Sequence, residues 1–161
     1  MQYKKLTIYT DGGARNNPGP AGIGCVLYDG NPAQCGQEKK VVQEISEYIG
    51  EATNNQAEYK AVFRAMEEVK KIIEKSAPSH KAGRQSGPAS GWELDFYLDS
   101  ELVVKQLNRE YKVKNKELAP LFMKIYNLSQ QFKKVTFTHV RRELNKEADR
   151  LVNEAIDSHL D

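Results

Sequence analysis

Four carboxylates in this 161-residue chain, Asp11, Glu58, Asp99 and Asp149, stand where simple exposure to solvent is an awkward explanation. Asp11 and Asp99 each follow a run of alternating apolar residues, and strand ends in α/β sheets are where residues distant in sequence converge. Stepping by three and four from Glu58 gives Val62, Ala65, Val69 and Ile72, the apolar stripe of a helix, so its carboxylate points inward. Asp149 lies close in angle to Val152 and Ile156 on another helix and leans the same way. Taken singly, each acid has a plainer reading, because acids complement helix N-termini and Asp before Gly or Ser is common turn chemistry. Taken together they need a counter-charge, and the inward faces predict no Lys or Arg to supply it. Divalent cations resolve the conflict, and an all-oxygen ligand set suits magnesium or manganese rather than zinc. Two such ions about 3.5 to 4 Å apart can activate water and stabilise the leaving oxygen in in-line phosphodiester hydrolysis.

The elements that must position these acids are legible in the periodicity. Residues 4–9 alternate and end at Thr10-Asp11-Gly12-Gly13, which reads as a turn. Residues 21–28 form a second strand, and a more polar run through Val41, Val42 and Ile45 to Ile49 a third, joined by the turn Asp29-Gly30-Asn31-Pro32. Thr53 with Gln56 fits a capping box that opens a helix to about Lys75, with Val62, Ala65, Val69, Ile72 and Ile73 as its buried stripe. Residues 76–91 are rich in Ser, Gly, Pro and Ala and predict a flexible insertion loop. A strand over 92–98 then delivers Asp99. Helices follow through Leu107 and over about 117–132, then a strand over 135–140 and a last helix from about Asn145. The expected architecture is α/β: a five-stranded mixed sheet, its first three strands antiparallel, flanked by helices.

Composition sets wider bounds. One domain over residues 1–161 is expected from the length. The balance of 24 basic and 22 acidic residues gives a net charge of +2, so any nucleic-acid surface must be a local patch. Cys25 and Cys35 lack metal-ligand spacing and read as free thiols. No run approaches the length of a membrane span, and residues 1–9 enter a strand at once instead of a signal segment, so the expected setting is cytoplasmic and without a membrane partner. A monomer is the default state.

The ordered set TDGGARNNPGPAG (10–22), TNNQAE (53–58), Asp99-Ser100 and Asn145-Lys146-Glu147-Ala148-Asp149 resembles the type 1 ribonuclease H family, over nearly the whole chain from Leu6 to about Ala155. The resemblance implies the ribonuclease H-like fold and an endonuclease that hydrolyses the RNA strand of RNA/DNA hybrids. It implies that Asp11, Glu58, Asp99 and Asp149 are the metal-binding catalytic carboxylates, with Mg2+ as cofactor and Mn2+ as substitute. It also implies that Gly12, Gly13, Asn17 and Asn55 face the minor groove and sense 2'-hydroxyls, while Thr53 and Asn54 lie near phosphates of the DNA strand. The physics agrees, because a 2'-hydroxyl donates and accepts, Asn offers both partners and glycine admits close backbone approach. Thr53 also has a plain role as helix cap, and residues 16–19 as an ordinary turn.

Four departures mark this chain. Asn16 and Glu101 stand where relatives typically carry Gly and Gln. Residues 108–116 are too short for the basic handle of some members, though Lys112, Lys114 and Lys116 offer modest charge. The loop before the last helix, Arg141-Arg142-Glu143-Leu144, holds no histidine, which places the chain in a short-loop subgroup where Arg141 or Arg142 could meet the scissile phosphate. Asn145, which closes that loop, is a further candidate, whereas His139 reads as a packed strand residue. Two alternatives remain: a hybrid-binding module of the same fold that does not cut, whose signature would be a lost carboxylate, or another nuclease of the same superfold, which would lack the two long motifs.

Overall fold

The first strand carries on past Thr10. In the computed structural model, which describes residues 4–30, 39–76 and 87–160, β1 runs Lys5–Ala14 and pairs antiparallel with β2 (Gly19–Asp29) through Gly12↔Ile23, Gly13↔Gly22 and Ala14↔Ala21. The turn expected at Asp11-Gly12-Gly13 is therefore strand, and the chain reverses over residues 15–18 instead. The paired glycines supply backbone hydrogen bonds like any residue, and their missing side chains leave room for helices on either face.

β3 (Val41–Ala52) continues the antiparallel meander, and β1 also pairs in parallel with β4 (Glu93–Leu98), which pairs in parallel with β5 (Lys134–His139). The sheet order is β3-β2-β1-β4-β5, the expected five-stranded mixed sheet. Helix α1 (Asn54–Ser76) opens on the expected capping box: Gln56 N donates to Thr53 Oγ1 (3.1 Å) and Thr53 N to Gln56 Oε1 (2.8 Å). Its stripe of Val62, Ala65, Val69 and Ile73 is buried against Leu6, Ile8, Phe96 and Leu98, while Ile72 is only partly covered. α2 (Glu101–Leu107) and α3 (Leu118–Ser129) complete that layer. α4 (Lys146–Leu160) crosses the opposite face over β2 and β3. Neighbouring residues of β2 divide between the layers as strand pleating requires: Ile23 and Cys25 join the α1 core, while Gly22 and Gly24 meet α4.

Of the 76–91 segment, Ser76 ends α1 and Pro88–Gly91 form a single 3-10 turn, and residues 77–86 lie outside the described residues, as do Cys35 and His80. Cys25 is a free buried thiol. Among the described residues no helix is long and apolar enough to cross a membrane.

Candidate active site

The parallel ladder between β1 and β4 ends at Tyr9↔Tyr97, and β1 continues beyond it, paired with β2 alone. Asp11 lies on that overhang, and Asp99 is the residue that follows β4, so the two meet where the ladder stops. Glu58 arrives from the first turns of α1. A Cβ built on Gly12 would fall 2.2 Å from the Ala57 carbonyl carbon and 2.5 Å from Glu58 N, so only glycine lets the helix lie against the strand here. Carboxylate oxygens of Asp11, Glu58 and Asp99 come within 4.8 Å of one another. Asp149 stands outside this trio but lines the same cleft, of about 400 Å³. It is carried there by α4, which rests on β2 so closely that a Cβ on Gly24 would lie 2.2 Å from the Ala148 carbonyl oxygen.

Burial and mutual repulsion govern the charge of this group. The Asp11 carboxyl is pushed up to about 7, first by burial and next by the Asp99 charge. Glu58 is held well above the usual carboxylate range, again by burial and then by Asp11. Burial also raises Asp99, against the opposing pull of the Arg142 guanidinium. Glu58 Oε2 is buried without a hydrogen-bond partner. Hard-oxygen donors this crowded, one of them partnerless, fit a divalent cation: it would satisfy the orphan oxygen and allow the ionised forms to coexist.

Asn145 ties the group together from below. Only 1% exposed, it donates from Nδ2 to the carbonyl oxygen of Thr10 (2.9 Å), directly before Asp11. The same carboxamide lies beside the Asp99 carboxylate and partly offsets the rise that burial imposes on it. Its backbone oxygen accepts from Asp149 N (3.1 Å) in the first turn of α4. Asn145 thus bonds β1 through its side chain and the first turn of α4 through its backbone, with Asp99 beside it.

Gly12, Gly13, Asn54 and Asn55 line the cleft, while Thr53 serves as the helix cap. Asn17 Oδ1 accepts from Asn54 N (2.9 Å), and Asn54 Oδ1 accepts from Ala14 N (2.8 Å). This lacing engages the acceptor side of both carboxamides and leaves their NH2 groups as the outward function. Arg142 reaches the cleft, whereas Arg141 is exposed and outside its lining. The inward region is therefore not free of cations as the helix faces alone suggest, since Arg142 enters from the turn before α4 and Arg15 from the β1–β2 turn. His139 is corrected too: at the C-terminal end of β5 it is exposed, because β5 ends there, while Val135 and Phe137 of the same face pack against the core. Arg15 is the cleft residue that periodicity misses. Its only sequence signal is its place inside the TDGGARNNPGPAG motif.

Comparison with known proteins places this geometry. A family model described as reverse transcriptase-like matches residues 89–155. A bifunctional protein of Mycobacterium tuberculosis is 33% identical over 96% of this chain, which spans only 36% of that relative's length. A ribonuclease H of Acetivibrio thermocellus is 31% identical, with 95% of both chains covered. Among solved structures, LC11-RNase H1 in complex with RNA/DNA hybrid is 41% identical, covers 97% of this chain and 99% of its own, and superposes with a TM-score of 0.79. Full-length coverage at this identity, together with the five-stranded mixed sheet and its crowded acids, shows that the chain belongs to the type 1 ribonuclease H family of enzymes.

Proposed function

We propose that this chain is an endonuclease that hydrolyses the RNA strand of RNA/DNA hybrids, with two Mg2+ ions as cofactor and Mn2+ as substitute. One observation carries the reading: carboxylates from β1, α1 and the end of β4 crowd within 4.8 Å, with a buried oxygen of Glu58 unpartnered. A family relative solved with an RNA/DNA hybrid supports the substrate class. Asp11, Glu58, Asp99 and Asp149 would hold the ions. When bound, the ion pair supplies positive charge to the attacking water and to the departing 3' oxygen of an in-line displacement.

The remaining residues bind and orient. Asn17 offers its NH2 group, and Asn55 its whole carboxamide, toward the minor groove, where 2'-hydroxyls separate RNA from DNA. Gly12 and Gly13 present backbone groups to the same wall. Thr53 and Asn54, at the start of α1, face a phosphate of the DNA strand. Arg142, beside Asp99, is the cation at the scissile phosphate in place of a loop histidine. Arg141 lies farther out and acts, if replaced, mainly on affinity. Asn145 positions Asp99 rather than touching substrate. The unit acts as one domain and a monomer, and the free buried Cys25 suits a reducing cytoplasm.

The direct test is a labelled hybrid incubated with and without Mg2+, beside single-stranded RNA, double-stranded RNA and double-stranded DNA. Internal RNA cuts confined to the hybrid and dependent on the metal are expected. Tight hybrid binding with no cutting at any metal concentration would overturn the reading.

A further inference from the structure

The cleft presents four carboxylates to a polyanion, so cations at its margins must offset the repulsion between acids and flanking phosphates. Two arginines line it. Arg142 stands beside Asp99, and Arg15 stands at the α4 side, where its Nη2 donates to Asn153 Oδ1 (3.1 Å) and pairs with Asp157 Oδ1 (2.9 Å). Asn153 in turn donates to the backbone oxygen of Asp149 (3.1 Å). Asp149, Asn153 and Asp157 are spaced by four on α4 and share one helix face. At 1.5 Å per residue, Arg15's partners therefore lie roughly 6 and 12 Å along the axis from the Asp149 level.

Both contacts use Nη2, which leaves the Nε and Nη1 donors of the guanidinium without a partner among the described residues. The side chain is 44% exposed. An ion pair this open contributes little to stability. Its two acceptors meet the planar fork at a single nitrogen, and the residue lines the cleft with its remaining donors available.

We propose that Arg15 is a substrate-binding residue that contacts a backbone phosphodiester of the nucleic acid one or two nucleotides from the cleavage point, with Asn153 and Asp157 orienting it. This rests on the hybrid-nuclease reading above. The turn that carries Arg15 also carries Asn17, which is laced to α1, so one short segment joins the minor-groove wall to a phosphate contact on the α4 side.

The test measures hybrid affinity against salt in the cutting-deficient Asp11→Asn background, with thermal melting as the folding control. Each phosphate contact contributes about 0.9 to the slope of log affinity on log salt. Arg15→Ala should make that slope shallower by about that amount, Arg15→Lys should retain it, and the remote exposed Lys71→Ala should leave it unchanged. An unchanged slope and affinity in a folded Arg15→Ala would overturn the proposal and leave Arg15 as a cross-link to α4. Should Arg15→Ala not fold, Arg15→Gln decides, since it keeps length and a donor for Asn153 but removes the charge: a slope shallower by about the same amount supports the phosphate contact, and an unchanged slope refutes it. A parallel digest by the unsubstituted chain tests the parent reading separately, since a lost salt contact and an absence of cutting are independent results.

Discussion

At the scale of the residue, the site is defined by carboxyl groups held where ionisation is difficult. Asp11 titrates near 3.9 in an unfolded chain and at about 7 in the folded one. Between those values the native state keeps a proton that the unfolded state has released, so this contribution to stability is full below pH 4 and lost as pH climbs through 7. In EDTA the melting temperature should therefore fall from pH 5 to pH 8, and saturating Mg2+ should flatten the decline. Asp11→Asn removes the repulsion and should melt higher than the parent at pH 8 in EDTA, by at least about 5 °C, since each kcal/mol moves a chain of this size by about 2 to 4 °C. Hybrid cutting by the same variant should drop more than 100-fold, beyond the roughly 10- to 100-fold that substitutions behind a metal's direct ligands cost. A variant that melts lower at pH 8 would contradict the electrostatic account. The carboxamides invite a different substitution. Asn17→Asp keeps the oxygen that accepts from Asn54 N but exchanges an outward donor for an anion. Steady-state kinetics should show KM for the hybrid rising by roughly tenfold or more, the loss of about one charge-opposed hydrogen bond, with little change in melting.

At the scale of the element, close approach of backbone to backbone sets the geometry. Gly12→Ala forces the start of α1 off β1, because the added carbon meets main chain and not a flexible tip. A cost of about 1 to 3 kcal/mol is expected from such overpacking, and Mg2+ affinity measured by calorimetry should fall with it, since Glu58 leaves with the helix. Asn145→Ala should cost a similar amount by stranding the Thr10 carbonyl. Its Mg2+ affinity should weaken about 10- to 100-fold through loss of the brace on Asp99. Much of this level is written in the sequence. The capping box at Thr53 and Gln56, the stripe from Val62 to Ile73 and the alternation of Leu94, Phe96 and Leu98 are local patterns, and local patterns survive folding. The Gly12-Gly13 pair misleads because a turn and a helix-contact strand use the same residue for different reasons, and only the partner Ile23 opposite Gly12 tells them apart. Asn145 illustrates the harder case: its bond to Thr10 spans the chain from β1 to α4, and nothing near Asn145 in sequence announces it.

At the scale of the whole molecule, the four acids belong to β1, α1, the end of β4 and α4, elements on both faces of one sheet. No single unit contains the site, so opening any of them discards it. Metal binding must then stabilise the fold as a body. At a free concentration 100 times the dissociation constant, a ligand specific to the native state contributes about 2.7 kcal/mol, or roughly 5 to 10 °C at this chain length. Hydrogen exchange should register that gain together in β1, α1, β4 and α4, because their amides are then released by a common opening that the ion opposes. Asp149, outside the tight trio, provides the internal comparison. Asp149→Asn should reduce the Mg2+-induced shift and its extension into α4 while β1, α1 and β4 keep theirs. Protection confined to the first turn of α1 and the end of β1 in the unsubstituted chain would mean that the ion is held locally, and that the convergence of distant segments is not what binds it.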